Sequence, residues 1–196
     1  MKAYSNTNLS KSIKILYYLL FFLGTYRGII KFEVDGNEMN PSAIQLERIK
    51  VVLTIQFPGL NSSSLLQNIE ISISKKTRRI KEIYEVKDDS RKLLFVLRPN
   101  DGRFLPSIYG AQRILDTGYQ GHRVVMNQEA SIFVKKGKSA FCKHVIKVDD
   151  DIQPNAEVFL LDPELNLLAV GSAVQPGYAM LELQAGVAVK PRKYTN

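Results

Sequence analysis

One cysteine, Cys142, and two histidines, His122 and His144, supply every thiol and imidazole group in 196 residues. That excludes an internal disulfide and a cysteine-rich zinc centre, which takes four Cys or His ligands. Cys142 lies in an apolar stretch and reads as a small buried side chain, which fits an intracellular protein. No Gly-x-x-x-x-Gly-Lys loop is present to cradle phosphates. Long hydrophobic runs are also missing. The most apolar stretch, 13–23, falls short of the roughly 20 residues that span a bilayer. Lys14 interrupts it, and Arg27 and Lys31 follow closely. A signal peptide also has a basic start and a short apolar core, but Gly24-Thr-Tyr-Arg27 is a poor small-residue cleavage site. The stretch reads as a buried helix, with membrane association or a partner interface as alternatives, and no integral membrane segment is expected.

Carboxylates suited to acid–base work are scarce too. Asp149-Asp-Asp151 sits on an extended segment, where adjacent side chains point to alternate faces and do not converge. Asp88, Asp89 and Asp101 fall in turns, where capping the backbone explains them. Asp116, Glu129 and Glu157 give no paired-carboxylate signal. No catalytic residue, metal site or cofactor is therefore assigned.

What the chain does have is positive charge in clusters. Its 27 Lys and Arg against 19 Asp and Glu leave a formal charge of +8, in a globular mixture of 45% hydrophobic and 23% charged residues. Such a balance permits nucleic acid, an anionic membrane or an acidic partner. No acidic residue occurs between Glu129 and Asp149, whereas Lys135, Lys136, Lys138, Lys143 and Lys147 do, with His144 among them. Lys190, Arg192 and Lys193 form a second group, and Lys75-Lys-Thr-Arg-Arg-Ile-Lys81 a third. A lysine run alone is ordinarily a solvated face, but the first cluster flanks Gly137, where a phosphate backbone can approach the chain closely.

Residues 123–193 organise the rest. Val124-Val-Met126 leads into a predicted helix capped by Asn127 and ended by Gly137, with Ala130, Phe133 and Val134 as its buried stripe. A strand is expected over 139–148, then a hairpin of 158–161 and 167–174 around Asp162-Pro-Glu-Leu-Asn166. A helical piece near Met180 and a last strand over 187–190 complete a small closed or half-closed barrel. Upstream, a strand is expected over 29–34, followed by a turn at 35–37. A helix is expected from Asn40 as cap, with Pro41 first and Leu46, Ile49, Val52 and Leu53 at helical spacing. Ile69, Ile71 and Ile73 alternate with polar residues as a half-buried strand. A hairpin over 83–97 follows, then a turn at Arg98-Pro-Asn-Asp-Gly102 and a helix carrying Ile108, Ala111, Ile114 and Leu115. Gly118 and Gly121 mark a linker. The expected class is α+β in three parts: an apolar segment and strand (1–39), a mixed α/β domain (40–120) and the barrel (121–196).

Arg123-Val-Val, Phe133-Val-Lys-Lys-Gly-Lys138, Ala169-Val-Gly-Ser-Ala173 and Gly186-Val-Ala-Val-Lys190 occur in the order seen in the PUA domain, an RNA-binding pseudobarrel, which residues 123–193 resemble. In that family the helix after the first strand, its glycine turn and the last strand bind RNA. The resemblance thus implies an RNA surface at Lys136, Gly137, Lys138, Ser139 and Lys190. Ser74-Lys-Lys-Thr-Arg-Arg-Ile-Lys81, Leu97-Arg-Pro-Asn-Asp-Gly-Arg-Phe104 and Gly110-Ala-Gln-Arg-Ile-Leu115 resemble the domain preceding PUA in archaeal tRNA-guanine transglycosylase. Arg48-Ile-Lys-Val-Val-Leu-Thr-Ile-Gln-Phe57 is similar to a degenerate form of that domain's Tyr-Gln-Phe-Gly block, with Ile55 in place of tyrosine and Pro58 in place of glycine.

Those enzymes exchange guanine for a deazaguanine base in archaeosine formation. Their chemistry resides in a TIM barrel with a zinc site. Such a barrel takes about 250 residues, more than this chain has. The resemblance therefore implies a cytoplasmic, non-catalytic tRNA-binding protein or subunit, acting alone or beside a separately encoded transglycosylase-like chain. Lys75, Lys76, Arg78 and Arg79 would form a second RNA contact. A structural or assembly subunit working through protein contacts is the alternative.

Overall fold

The computed structural model describes residues 38–88 and 90–195. The apolar stretch 13–23, the strand over 29–34 and the turn at 35–37 lie outside the described residues.

The first helix, α1 (Ala43–Gln56), starts two residues later than the sequence suggests. Its cap is Ser42: Gln45 N–H donates to Ser42 Oγ (3.3 Å) and Ser42 N–H donates to Gln45 Oε1 (2.8 Å). This reciprocal capping box needs Gln or Glu three residues after the cap; Ser42 has that partner, whereas Asn40 has Ala43. Ile49 and Leu53 are buried on one face as their spacing predicts. The helix end is tied to the sheet by Gln56, whose side chain accepts from Phe104 N–H (2.9 Å) and donates to Phe104 O (2.6 Å). A one-turn helix, α2 (Ser62–Leu65), follows.

The first sheet is a five-stranded antiparallel meander, β1 (Glu38–Met39), β2 (Ile69–Ile73), β3 (Ile80–Lys87), β4 (Ser90–Leu97) and β5 (Phe104–Pro106). The alternation at Ile69, Ile71 and Ile73 is realised: all three are buried. Helix α3 (Ile108–Asp116) is capped by Ser107 Oγ, which accepts from Gly110 N–H (2.9 Å). It lies so close to β4 that a Cβ at Gly110 would stand 2.0 Å from the Leu94 carbonyl oxygen.

On this sheet, Glu85 accepts from Arg113 Nη2 (2.8 Å) and Nε (3.1 Å) and from the Tyr109 hydroxyl. Burial alone would raise its pKa, but these bonds outweigh that and hold the carboxyl below its ordinary 4.5. A carboxyl depressed by folding adds stability above its unfolded pKa and loses it as pH falls through the folded value. Glu85→Gln removes this contribution. Its urea midpoint should therefore decline less steeply than the parent's below about pH 4.5; parallel curves would contradict the assignment.

The second sheet has the order β7-β11-β10-β9-β6-β8. Its strands are β6 (Arg123–Met126), β7 (Ala140–Phe141), β8 (Val145–Val148), β9 (Glu157–Leu161), β10 (Leu167–Ala173) and β11 (Val187–Tyr194). Only the β6–β9 pair is parallel. The two edge strands are joined by a 3-10 turn, Cys142–His144, so the sheet curls into a nearly closed barrel. The single strand expected over 139–148 is therefore two strands at opposite edges. The chain leaves one ladder at Cys142, whose N–H donates to Gly186 O, and reaches the other past His144, whose carbonyl accepts from Asn127 N–H.

All five residues of β9 are buried because both of its faces are covered. Val158 and Leu160 join the barrel core, while Phe159 and Leu161 join the cluster built on α1 and the first sheet. Phe159 stacks on Phe57 at 5.8 Å between ring centres.

Candidate nucleic-acid interface

The helix α4 (Gln128–Val134) begins where Asn127 Oδ1 accepts from Ala130 N–H (2.9 Å). Its end is a Schellman turn. Gly137, at φ +76°, donates to Val134 O (2.9 Å), and Lys138 N–H donates to Phe133 O (3.1 Å). Ala130 and Val134 are buried as expected, but the third buried residue is Ser131, and Phe133 is 56% exposed. At 3.6 residues per turn, position 133 lies roughly 100° from the centre of a stripe made by 130, 131 and 134. Ser131 can be buried because its hydroxyl donates to Asn127 O (2.9 Å).

From the turn the chain enters β7, which pairs with β11 through Ala140↔Val189 and Phe141↔Val187. The residues just before Ala140 therefore run beside those just after Val189. This register brings Lys136, Gly137, Lys138 and Ser139 to the same side of the barrel as Lys190. The three lysines are exposed, Gly137 and Ser139 are half-buried, and none of the lysines is in an ion pair among the described residues. The path of β11 depends on Gly171. A Cβ there would stand 2.3 Å from the Lys190 carbonyl, at a bulge in the β10–β11 register.

Arg192 does not belong with the free cations it follows in sequence. Its Nη2 donates to Glu157 Oε2 (2.9 Å) and to Pro106 O (3.0 Å), joining β11 to β9 and β5. The Glu157 side chain is only 1% exposed. The cation serves this buried carboxylate.

Lys75, Lys76, Arg78 and Arg79 are all exposed in the turn between β2 and β3. Arg78 has φ +56° and donates its N–H to Ser74 O (2.8 Å), while Ser74 N–H donates to Arg79 O (2.9 Å). This basic group sits on the first sheet and the Gly137 group on the second, so the two are presented by different layers.

The remaining polar groups of note are structural. His122 Nδ1 donates to Glu157 O (2.9 Å), its ring lies 5.5 Å from that of Phe57, and burial lowers its pKa. Burial likewise raises the Tyr119 phenol. Asp149, at the end of β8, accepts from Arg123 N–H (2.7 Å). An open cleft of about 270 Å³ beside Tyr119 is lined by Gly59, Asn61, Gln120 and other uncharged residues. Among the described residues no His, Cys, Asp and Glu side chains gather in a metal-binding group, and no helix is long and apolar enough to cross a membrane.

Residues 122–195 match the PUA domain, and residues 47–118 match the patch-forming domain C2 of tRNA-guanine transglycosylase. The chain carries a transglycosylase C2 domain and a PUA domain. It is 33% identical over 168 residues to the tRNA-guanine(15) transglycosylase of Methanobrevibacter smithii, covering 85% of this chain and 25% of that protein. The same enzyme of Methanothermobacter thermautotrophicus is 34% identical over 159 residues, covering 80% of this chain and 24% of that protein. The chain thus spans about a quarter of the length of these relatives. In fold it is similar to a hypothetical protein of Pyrococcus horikoshii, with a TM-score of 0.62 and 20% identity over 80% of this chain and 93% of that one. It is also similar to a conserved PUA domain protein of Thermoplasma acidophilum, with a TM-score of 0.59 and 15% identity over the same shares.

Sequence reasoning overlooked Tyr194, which lies against Gly137: a Cβ on the glycine would stand 2.7 Å from Tyr194 Cε1. An aromatic residue shortly after a basic strand was the available signal.

Proposed function

We propose that this chain is an RNA-binding accessory protein or non-catalytic subunit that holds tRNA for base modification of the archaeosine type in the cytoplasm. The observation that carries the proposal is the Gly137 turn of the PUA domain. It presents Lys136 and Lys138 to solvent, without ion-pair partners among the described residues, beside Lys190 on β11. Ammonium groups so placed neutralise backbone phosphates and release counterions. Gly137 and Ser139 complete this surface, with the Tyr194 ring filling the space beside Gly137 where a side chain would stand. Lys75, Lys76, Arg78 and Arg79 provide a second contact on the C2 domain. Two modest contacts on one rigid RNA multiply rather than add, because the second forms at high effective concentration. A separately encoded transglycosylase-like chain supplies the bond making, while this chain contributes placement of the substrate.

Two measurements test this. Native pull-down of the chain should enrich tRNA over other RNA. Purified alone, the chain should incorporate no radiolabelled guanine into tRNA; incorporation without another protein would contradict the non-catalytic role.

One observation favours assembly through protein contacts as the second reading. Helix α5 (Gly177–Glu182) and the residue after it expose Tyr178 (60%), Leu181 (47%) and Leu183 (39%). Recovery of a stoichiometric protein partner with no RNA would put that reading first.

A further inference from the structure

Helix α1 is apolar on two sides. Ile49 and Leu53 are buried in the core, with Leu46 and Val52 packed beside them. On the other side Ile44 is 58% exposed and Ile55 41%, with half-buried Val51 between them. At 3.6 residues per turn these three fall within about 40° of one another, on the side opposite Leu53, in a row about 16 Å long. A surface helix ordinarily carries polar residues there. Single exposed apolar residues are commonplace. An aligned row over three turns is the pattern by which a helix fills an apolar groove. Exposed Arg48 lies in the same row and exposed Glu47 beside it, and neither is in an ion pair among the described residues.

Helix α1 also stands where the relatives' sequence continues. The match to the C2 domain begins at Glu47, on this helix. The chain matches about a quarter of the Methanobrevibacter smithii enzyme, its C-terminal region. In that enzyme the remaining sequence therefore enters the C2 domain from the α1 end. A separate chain that takes the place of that sequence meets the C2 domain most directly on the same side. We propose that the Ile44–Val51–Ile55 row of α1 is the docking face for the transglycosylase-like chain, which offers an apolar groove edged by a carboxylate for Arg48 and a cation for Glu47. This rests on the reading that such a chain supplies the bond making, and it gives that chain a place on this one. The charged pair sets the direction in which the groove lies along the helix. None of these residues is among the proposed RNA contacts, so docking and RNA binding are separable.

The only cysteine, Cys142, is buried, so Ile55→Cys adds a single accessible thiol to the full chain. A benzophenone attached there is activated in native extract of the source cells, and the crosslinked chain is identified by mass spectrometry. It should carry the sequence of the catalytic part of a transglycosylase. That chain is then purified and titrated against the parent and the double variant Ile44→Glu/Ile55→Lys. The two changes leave the net charge unchanged and suit the helix dipole, with the anion near the N-terminus and the cation near the C-terminus. The double variant should bind the partner about thirty-fold more weakly, as when anchor side chains are lost from an interface, and should bind tRNA like the parent. Arg48→Glu, a single change at an exposed position, should weaken docking about ten-fold. Tyr178→Glu on α5 should leave docking unchanged. If the α1 variants hold the partner like the parent, or Tyr178→Glu loses it instead, the α1 docking face is overturned and the accessory role stands. A crosslink to a second copy, or to residues 13–23 of the same chain, also overturns it. If neither Ile55→Cys nor Tyr178→Cys captures a transglycosylase-like chain, the separate catalytic chain and its docking face both fail.

Discussion

Replacing Lys136 and Lys138 together with alanine should weaken tRNA binding and flatten its dependence on salt by about two units of logarithmic slope, roughly one for each phosphate contact removed. Between 50 and 200 mM salt, that change means the parent loses roughly fifteen-fold more affinity than the variant. The fold should survive. Lys136 and Lys138 are exposed, and the turn they flank is held by backbone bonds from Gly137 to Val134 O and from Lys138 to Phe133 O, which alanine retains. Replacement of exposed Asp150 by asparagine serves as the control and should change the slope little. Binding across a salt series, with circular dichroism to verify folding, measures the effect. A double variant that binds like the parent at every salt concentration removes the Gly137 turn from the interface. Equal binding of tRNA and duplex DNA by the parent would make the basic face generic, and assembly through α5 would then lead.

Arg192→Ala should behave in the opposite way, damaging stability far more than the slope. The side chain of its partner Glu157 is 1% exposed, and that of Arg192 29%. Removing the cation leaves a buried carboxylate without its hydrogen-bonded partner, a loss of about 3–5 kcal/mol in comparable pairs. Because the Arg192 side chain is partly exposed, the lower end applies, about 3 kcal/mol. For a chain of this size that corresponds to roughly 6–12 °C in Tm. The double variant Arg192→Met with Glu157→Gln should recover much of the loss, since a neutral pair of similar volume leaves no buried charge. Thermal unfolding of the parent, Arg192→Met, Glu157→Gln and the double variant, a complete cycle, measures the coupling. If Arg192→Ala unfolds within about 2 °C of the parent, below the 2–4 °C that 1 kcal/mol corresponds to, the pair is not a structural clamp. A salt slope that fell by a full unit in this variant would return Arg192 to the RNA surface.

These two substitutions separate lysines and an arginine that look alike in the sequence. Lys190, Arg192 and Lys193 form one basic group on paper; burial of Glu157 divides it, and no local pattern announces that Glu157 will be buried. Local rules were enough elsewhere. Asn127 and Gly137 start and stop α4 through bonds that depend only on nearby backbone. Ile69, Ile71 and Ile73 reveal β2 by alternation, and Asp162 and Asn166 close the hairpin between β9 and β10. Features set by distant partners were not legible. The break at Cys142–His144 exists because the chain must pass from one sheet edge to the other. Short β5 forms because Gln56, 48 residues away, pairs with Phe104. Phe133 looked like core by spacing, yet Ser131 took the buried position once its hydroxyl found Asn127 O. The two lysine groups were legible as charge, and Gly137 as a turn. Tyr194 was not, because its meaning comes from the ring's position across that turn.

The central claim is that RNA meets the PUA domain at the Gly137 turn and the end of β11. Amide chemical-shift mapping of the isotopically labelled chain during titration with tRNA tests it most directly. The expected perturbations are concentrated at 136–139 and 190–194, with a second, weaker group at 75–79. Perturbations confined to α5 and the cleft beside Tyr119, with the Gly137, Lys138 and Tyr194 amides unmoved at saturation, would contradict the account.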